Sequence, residues 1–548
     1  MKTRLLGSGF FFMVILAAGL LGHRSIGFGG GPSLGGQAEH ATITSYDGPS
    51  TCIACHQQDA YNMFGSVHYQ WTGPSPNAIN LTTYSGKADI NFNTYCGSAV
   101  TSRRIACWSC HAGNGRVPKM TVDSSQLANI DCLTCHQDAY RRKAAPPAVQ
   151  LTYRGYDGVA RTWTLPQEDA EGNFQYVPDE AAMGISALTA ARTVHLPTRT
   201  TCLSCHAYAA GSDCGKRGDL SVETASPPLW AEVHMSPLGQ DLACVACHAA
   251  GNHRLKGRGL DITTNDHPDR LTCVSGGCHP FAPHQNTRLD AHTGRVACQT
   301  CHIPAYAKLA TTEMRRDWLK PFWAQGLFGG QGGFKPEEYR ESMVVPTYRW
   351  FDGTSVNYVL SQTTPPPVNA QGAYEFALPN GAVNSVGAYI YPMKEHWANS
   401  ALHLETNRFI PHSTFMYFVT GDFGRAVTEG QIRSGLRGAW KLVEVHTFQT
   451  LNHGVEPSAN ALSCGACHAS LAGGTPVRMD LKGQLGYATR AGFSCTQCHG
   501  PKGPMLFVEL HDKHVRDKEV ACSQCHDFSR PLPAGAGSRR QAPRRTNR

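Results

Sequence analysis

The feature that most constrains this chain is a short motif, Cys-x-x-Cys-His, which occurs nine times in 548 residues. Two thiols at this spacing, followed directly by a histidine, form the attachment site of a c-type haem: the thiols bond to the porphyrin edge and the histidine becomes an axial iron ligand. A tenth site, Cys273-Val-Ser-Gly-Gly-Cys278-His279, has two more residues between its cysteines. We expect haem there too, with a disulfide or an empty site as alternatives. The cysteines of the nine regular motifs are Cys52 and Cys55, Cys107 and Cys110, Cys132 and Cys135, Cys202 and Cys205, Cys244 and Cys247, Cys298 and Cys301, Cys464 and Cys467, Cys495 and Cys498, and Cys522 and Cys525.

Other common uses of paired cysteines fit this chain less well. Zinc ribbons need paired cysteines but no histidine after every second one. A thioredoxin-type redox pair would occur once, and a disulfide framework gives no reason for the histidines. The sequence therefore predicts about ten covalently bound haem c groups, and it leaves only Cys96 and Cys214 outside the motifs.

Composition predicts how such a chain folds. It has 56 glycines and 33 prolines, and only 16% of its residues are charged. Stacked haems can supply much of the apolar core, so we expect a multihaem cytochrome c fold that is mostly α-helical and loop, with little β structure. The formal charge of +8 is offset by the two propionates of each haem, so it does not indicate a nucleic-acid partner.

The motifs divide the chain into segments. Residues 1–26 contain a basic start and an apolar stretch, Leu5–Leu21, and are interpreted as an export signal or an uncleaved N-terminal membrane anchor. Because bacteria attach c-type haem outside the cytoplasm, both interpretations predict a periplasmic or extracytoplasmic protein. The remaining segments are a seven-haem region (51–302), a haem-poor, aromatic-rich region with the eighth haem (303–487), a C-terminal dihaem module (488–528) and a disordered basic tail (529–548). Within the haem-poor region, the sequence predicts a hairpin over Thr347–Leu360 and a helix over Gly435–Asn452.

Histidines outnumber the motifs, and the surplus predicts the second axial ligands. Irons with two histidine ligands have no open position, so they transfer electrons rather than bind substrate. Substrate chemistry therefore needs an iron whose distal ligand is exchangeable or absent. The motif histidines are His56, His111, His136, His206, His248, His279, His302, His468, His499 and His526. The candidate distal ligands are His68, His195, His234, His253, His284, His292, His412, His446, His453, His511 and His514.

One run, GSDCGKRGDL at 211–220, places an acid, a thiol and an amine between glycines. Together with SVHYQW (66–71), NTYCG before ACWSCHAG, NIDCLTCH, DAHTGRVACQTCHIP (290–304) and PTYRWFDG, it resembles the octahaem tetrathionate reductase family of multihaem c-type cytochromes. The resemblance extends from about Thr51 to Tyr487, and the two motifs within Phe493–Phe528 go beyond the eight-haem pattern.

The resemblance implies an active-site haem attached at Cys107 and Cys110 with His111 as its proximal ligand. It implies that Lys216 replaces the distal histidine, that Asp213 is the acid paired with Lys216, and that Cys96 is the active-site cysteine. Two residues depart from the family pattern: Cys214 stands where a small residue other than cysteine is expected, and Arg217 where histidine is common.

The chemistry of a lysine ligand can be derived without the resemblance. An amine binds iron only when neutral, and deprotonating an ordinary lysine costs about 4.6 kcal/mol at pH 7. Lysine is therefore suited to be an exchangeable ligand that substrate displaces. Instead of binding iron, Lys216 could be a solvated lysine in a loop. Instead of being free thiols, Cys96 and Cys214 could form a disulfide with each other.

Two functions are consistent with these patterns. The first is an exported multihaem reductase that passes electrons along bis-histidine haems to a lysine-ligated haem, where a small sulfur or nitrogen oxyanion such as tetrathionate, nitrite or hydroxylamine is reduced. The second is an electron-transfer conduit, a periplasmic or cell-surface wire without its own substrate. A third, weaker possibility is oxidation, since sequence does not set the direction of electron flow. Its redox partner is expected to be a quinol dehydrogenase or a periplasmic cytochrome.

Overall fold

The computed structural model describes residues 37–81, 84–87, 91–98, 100, 110–257, 259–261, 264, 266, 269–383, 385–463, 466, 467, 478, 479, 485, 510, 512–520 and 522–525. Within these ranges, no helix is both long enough and apolar enough to cross a membrane. The calls that lie outside the described residues are the segment 1–26, the tail 529–548, most of the dihaem module, Cys107, Cys464, His468, Cys495, Cys498, His499, His511 and His526.

The helices of the haem-rich part are short, and several carry an attachment motif. A single helical turn suits the motif, because its two cysteines and its histidine stand at positions i, i+3 and i+4, which lie on the same face of a helix. The backbone N–H of His136 donates to the Cys132 carbonyl at 3.1 Å, as a helical turn requires. The α-helices are α1 Gln37–His40, α2 Pro49–Ile53, α3 Gln57–Phe64, α4 Val67–Gln70, α5 Ser124–Leu127, α6 Leu133–His136, α7 Glu180–Met183, α8 Ala187–Arg192, α9 Arg199–His206, α10 Cys244–Cys247, α11 Thr287–His292, α12 Cys298–His302, α13 Thr414–Thr420, α14 Phe423–Ser434 and α15 Cys522–Cys525.

A seven-stranded sheet fills the haem-poor region, so the prediction of little β structure does not hold there. The strands run in the order β10-β9-β14-β15-β13-β12, and β11 also pairs with β14. These strands are β9 Thr312–Ala324, β10 Gly333–Glu341, β11 Thr347–Phe351, β12 Ser355–Asn357, β13 Tyr374–Pro379, β14 Tyr389–His403 and β15 Trp440–Thr450. Four two-stranded pairs lie elsewhere, built from β1 Thr72–Gly73 with β2 Ser85–Gly86, β3 Arg142–Ala144 with β6 Tyr176–Pro178, β4 Ala148–Arg154 with β5 Ala160–Pro166, and β7 Ala250–Gly251 with β8 Arg254–Leu255.

The sheet buries side chains on both of its faces. Trp318 of β9 packs with Tyr417 of α13 and Phe423 of α14. A second cluster joins Phe92, from the segment before the Cys107 motif, to Phe376 and other aromatic residues of the sheet region. The sheet is therefore a rigid support for the chain segments that contact it, including the one that carries Cys96.

Two local predictions for this region are wrong. Residues 440–450 of the predicted helix Gly435–Asn452 form strand β15, which pairs antiparallel with β14 from His403↔Trp440 to Met393↔Thr450. The predicted hairpin at Thr347–Leu360 has its turn, with Gly353 at φ 95°. However, β11 pairs with β14 and β12 with β13, so the two strands separate after the turn.

Candidate haem sites and the pocket around Lys216

Six histidine pairs connect the haem-attachment motifs to the rest of the chain. In each pair a motif histidine faces a histidine from another segment, with ring centroids 6.0–6.5 Å apart. The pairs, with the motif residue first, are His56 and His40, His136 and His253, His206 and His68, His248 and His453, His279 and His234, and His302 and His284.

This spacing fits an iron atom between the rings. A metal–imidazole bond of about 2.0 Å and a ring nitrogen about 1.1 Å from the ring centre put two trans imidazoles about 6.2 Å apart, centre to centre. Direct ring stacking would bring the centroids closer than this, and unrelated surface histidines would not recur at one distance. The arrangement therefore fits bis-histidine haem iron at six of the ten motifs, including the irregular Cys273 site.

The remaining sequence candidates have other surroundings. His195 lies with its ring nitrogens 3.2 Å from the Asp138 backbone nitrogen and 2.8 Å from the Leu196 carbonyl oxygen. His412 packs against Trp318, and His446 packs against Trp397 in the sheet. Because His468, His499 and His526 lie outside the described residues, the ligand roles of His292, His511 and His514 stay predictions. Sequence reasoning missed His40, which precedes the first motif and lay outside the segment assigned to haem binding.

The paired histidines differ in what their Nδ1 atoms contact, and such a contact fixes the orientation of a metal-binding imidazole. The Nδ1 atoms of His136 and His248 lie 2.9 Å and 2.7 Å from backbone carbonyl oxygens. Others lie near carboxylates instead: His56 at 3.2 Å from Asp59, His234 at 3.2 Å from Glu232, His284 at 3.1 Å from Asp290 and His453 at 3.0 Å from Asp219.

The motifs themselves form a continuous array in space. Side-chain contacts join Cys52 to Cys132, Cys110 to Cys205, Cys202 to Cys244 and Cys273 to Cys298. Weaker electrostatic contacts add Cys135 to Cys202 and Cys247 to Cys278. Each described motif in residues 51–302 therefore has another motif beside it, as electron transfer between haems requires.

Lys216 is buried in the structure and is not a solvated loop lysine. Its Nζ lies 2.5 Å from Asp261 Oδ2, and both side chains are 4% exposed. The same Nζ lies 5.7 Å from the centre of the Tyr95 ring, and Tyr95 directly precedes Cys96. Burial lowers the pKa of Lys216, and Asp261 acts in the opposite direction. Lys216 and the Cys96 segment are thus brought together, as the resemblance implies.

The acid paired with Lys216 is Asp261, not Asp213 as the resemblance implied. The Asp213 carboxylate accepts a hydrogen bond from the Val222 backbone N–H at 2.9 Å. Cys214, between Asp213 and Lys216, has a left-handed backbone with φ 56°. The side chains three apart therefore do not share a face as they would on a helix.

The two cysteines outside the motifs are both free thiols. Cys214 is buried, and burial raises its pKa to about 11, which disfavours the reactive thiolate. Cys96 is half-buried, and its Sγ lies 3.8 Å from Nη1 of Arg316. Of the two, Cys96 is the thiol that contacts a guanidinium group directly and has partial access to solvent.

A buried polar cluster from the sheet supports this pocket and was missed from sequence. Arg316 Nε and Nη2 donate to the two carboxylate oxygens of Glu313 at 2.6 and 2.7 Å, and Arg316 Nη1 donates to the Tyr95 carbonyl at 2.5 Å. His396 stacks on the Tyr95 ring at 3.7 Å and lies 3.2 Å from Glu313. Burial lowers the pKa of His396 to about 4, so it is neutral at pH 7.

A second buried lysine holds the loop that carries Lys216. Lys394 Nζ donates to the carbonyls of Gly215 at 2.6 Å and Lys216 at 3.2 Å, and to Thr312 Oγ1 at 2.6 Å. Burial lowers the pKa of Lys394 to about 7. The run Lys-Glu-His at 394–396, between Tyr389–Met393 and the apolar pair Trp397-Ala398, is the sequence signal that could have pointed to these residues.

The pairing of His40 with His56 can be tested directly, and His40 is the candidate ligand that sequence reasoning missed. We expect His40→Ala to convert one low-spin haem to the high-spin form, because the iron facing His56 would lose its sixth ligand. His195→Ala is the matched control and should leave the number of low-spin haems unchanged. Electron paramagnetic resonance of the ferric protein measures both variants, and a high-spin signal from His195→Ala alone would contradict the assignment.

Comparisons with known proteins agree with this geometry. Residues 331–471 match the family described as bacterial cytochrome c. The crystal structure of octaheme cytochrome c from Shewanella oneidensis is similar to this one with a TM-score of 0.62 and 28% sequence identity, over 83% of this chain and 96% of that chain. An uncharacterized protein of Archaeoglobus fulgidus is 26% identical over 302 residues, which cover 46% of this chain and 94% of that protein. With its repeated haem-attachment motifs, this protein is a multihaem c-type cytochrome that transfers electrons.

Proposed function

We propose that this protein is an extracytoplasmic reductase of the octahaem tetrathionate reductase type, with about ten haems. Its substrate is a small sulfur or nitrogen oxyanion such as tetrathionate, nitrite or hydroxylamine, reduced at the site of Lys216. The observation that carries the proposal is the buried lysine, Lys216, placed beside the Tyr95–Cys96 segment.

The charges around Tyr95 support an anionic substrate. Three buried cationic side chains lie within 5.8 Å of its ring centre: Lys216, Lys394 and Arg316. Lys216 pairs with the carboxylate of Asp261, and Arg316 pairs with those of Glu313 and Glu338. Cations at low exposure attract an anion more strongly than they would in water, because the local dielectric is low.

In this proposal the residues of the pocket have distinct roles. Lys216 would hold the haem iron through its neutral amine as an exchangeable ligand, and Asp261 would pair with the lysine when it is protonated. Cys96, held beside Arg316, either takes part in sulfur chemistry or caps the pocket. Asp213 shapes the loop through its bond to Val222. Bound haem would supply the electrons, and the six histidine pairs would hold the haems that carry them to this site.

The location and partners are part of the same proposal. Residues 1–26 act as an export signal or membrane anchor, and the haems are attached outside the cytoplasm. Electrons arrive from a quinol dehydrogenase or a periplasmic cytochrome. The motifs at Cys495 and Cys522 add two haems and form a port toward such a partner.

An electron-transfer conduit without a substrate is the second candidate. It is favoured by the contacts that join neighbouring motifs within the described part of residues 51–302, which is what a wire requires. The two candidates differ in what they require of Lys216, since a wire has no need of an exchangeable ligand.

The test is the replacement Lys216→His. If the proposal is correct, the wild-type ferric protein shows a lysine-ligated or high-spin haem by electron paramagnetic resonance. Lys216→His should remove this signal, because imidazole is a stronger ligand at pH 7, and should abolish reduction of tetrathionate and nitrite. Both effects follow from closing the only exchangeable position that the proposal assigns.

Lys441→His serves as the control, because Lys441 is an exposed lysine of the sheet. It should keep the wild-type spectrum and activity. A wild-type protein whose haems are all bis-histidine, with a spectrum that Lys216→His does not change, would rule out the reductase and leave the conduit.

A further inference from the structure

Besides Asp213, the run 211–220 contains a second carboxylate, that of Asp219. The pairing of Lys216 with Asp261 does not explain why this carboxylate is there. Asp219 is buried, with its side chain 1% exposed, and its Oδ2 lies 3.0 Å from Nδ1 of His453. The same oxygen accepts hydrogen bonds from the backbone N–H groups of Asn452 at 2.8 Å and His453 at 3.1 Å. Asp219 therefore fixes both the backbone and the imidazole of the distal histidine that faces His248.

Glu232 completes this arrangement on the other side of His453. Its carboxylate accepts from the backbone N–H groups of Gly454 at 2.6 Å and Val455 at 3.0 Å. It also contacts Nδ1 of His234, the distal histidine that faces His279. Asp290 makes the equivalent contact to His284, which faces His302. The distal histidines of three successive motifs, those starting at Cys244, Cys273 and Cys298, thus each have a carboxylate behind them.

The neighbouring motif at Cys202 lacks this feature. Its histidine pair is His206 and His68, and in the described residues Nδ1 of His68 has no hydrogen-bond partner. Burial lowers the pKa of His68 and the negative charge of Asp266 opposes this, but the Asp266 carboxylate accepts a hydrogen bond from the Val67 backbone N–H at 2.7 Å. The charged groups that act on His206, besides other histidines, are the cations Arg217 and Lys87.

A carboxylate behind an axial imidazole makes that imidazole a stronger electron donor and favours the oxidised metal. An axial imidazole whose second nitrogen lacks such a hydrogen bond is a weaker donor, and nearby cations favour the reduced metal because they oppose positive charge at the iron. The two surroundings therefore push the reduction potentials of adjacent haems in opposite directions.

We propose that Asp219, through His453, sets the haem at Cys244 to a lower reduction potential than the haem at Cys202, and so directs electrons toward the Lys216 pocket. The order of the motifs supports this direction, since Cys244 contacts Cys202 and Cys205 contacts Cys110. One loop, 211–220, thus holds both Lys216 and the residue that sets the potential of a haem two motifs away from Cys110. The proposal concerns the direction of flow and does not depend on the substrate.

The experiment is a spectroelectrochemical titration of the holoprotein with Asp219→Asn. The reduction potential of one haem, the one at Cys244, should shift upward. The asparagine amide has nearly the shape of the aspartate carboxylate but lacks its negative charge. Glu444→Gln removes the same charge from an exposed ion pair with Arg315, and it should leave every component in place. No shift, or a downward shift, in Asp219→Asn would overturn the proposal.

In Asp219→Asn, His453 could detach from the haem at Cys244, which would then become high-spin. A second variant keeps the test decisive in that case. Arg217 lies beside Asp219, with Nε 3.4 Å from Oδ1, and partly offsets its charge. Arg217→Gln should therefore shift the haem at Cys244 to lower potential, together with the haem at Cys202 because Arg217 also acts on His206, and an upward shift would count against the proposal. Because potentials are read without substrate, a failed reductase assay leaves this result unaffected.

Discussion

Replacing Arg316 by methionine should destabilise the protein by about 3–5 kcal/mol, because the change leaves the Glu313 carboxylate buried without its partner. The Arg316 side chain is 2% exposed and that of Glu313 is fully buried. The variant also loses the hydrogen bond to the Tyr95 carbonyl and the contact with Cys96. We therefore expect it to disturb the Lys216 pocket as well as the sheet. Urea unfolding followed by circular dichroism measures the first effect, and the ferric spectrum measures the second.

The neighbouring residue provides a matched control. Arg315 lies on the same strand, but its ion pair with Glu444 is about 40% exposed. Exposed pairs of this kind contribute about 0–1 kcal/mol, so Arg315→Met should have a small effect and leave the spectrum unchanged. Equal losses in the two variants would show that the Arg316–Glu313 pair does not support the fold in the way described.

Trp318→Ala should cost a similar amount, about 3–5 kcal/mol, because it leaves a large cavity in the core of the sheet. The Trp318 ring is 1% exposed and lies 4.5 Å from His412 and 4.8 Å from Tyr417, between ring centres. His412 in turn lies against Gly97, where an added Cβ would come within 2.9 Å of its ring. Loss of Trp318 should therefore also loosen the segment that carries Cys96, which faster alkylation of the Cys96 thiol would report.

Trp323→Ala is the control for this prediction. Trp323 belongs to the same strand, β9, but is 38% exposed. Its removal creates an open surface and not a closed cavity, so the loss of stability should be clearly smaller. If Trp323→Ala exposed Cys96 as much as Trp318→Ala, the link through His412 would be contradicted.

The haem chemistry of this protein follows from sequence because covalent attachment needs a fixed local spacing. The spacing of Cys, Cys and His is set by one helical turn, so it appears directly in the motif. Distal ligands are harder to assign, because they approach from other segments. His68, His234, His253, His284 and His453 were among the candidates and face motif histidines, but no local pattern distinguishes them from His195 or His446.

The sheet was missed for a different physical reason. Leu436, Trp440 and Val443 follow one another at helical intervals, which favoured a helix. Strand β15 is buried on both faces from Val445 to Thr450, so the polar and apolar alternation that marks a half-buried strand is absent. Its β-branched residues were the remaining signal for a strand.

The partner of Lys216 was assigned to the wrong acid because proximity in sequence is a poor guide in a loop. Asp213 lies three residues away, but the left-handed backbone at Cys214 turns it aside. Asp261 comes from a segment 45 positions later and reaches Lys216 only through the tertiary fold. The same is true of Lys394, whose contact with the Gly215 carbonyl spans 179 residues.

With haem iron bound between the two rings, each histidine pair described above would act as a cross-link in the chain. A link between distant positions restricts the unfolded chain, and the restriction grows with the length of the loop that it closes. His453 faces His248, and it is anchored by Asp219, 234 residues away. A chain so rich in glycine and proline thus gains stability by limiting its unfolded state, as small secreted proteins do with disulfides. Denaturation of the haem-loaded protein should then detach these histidines from their irons.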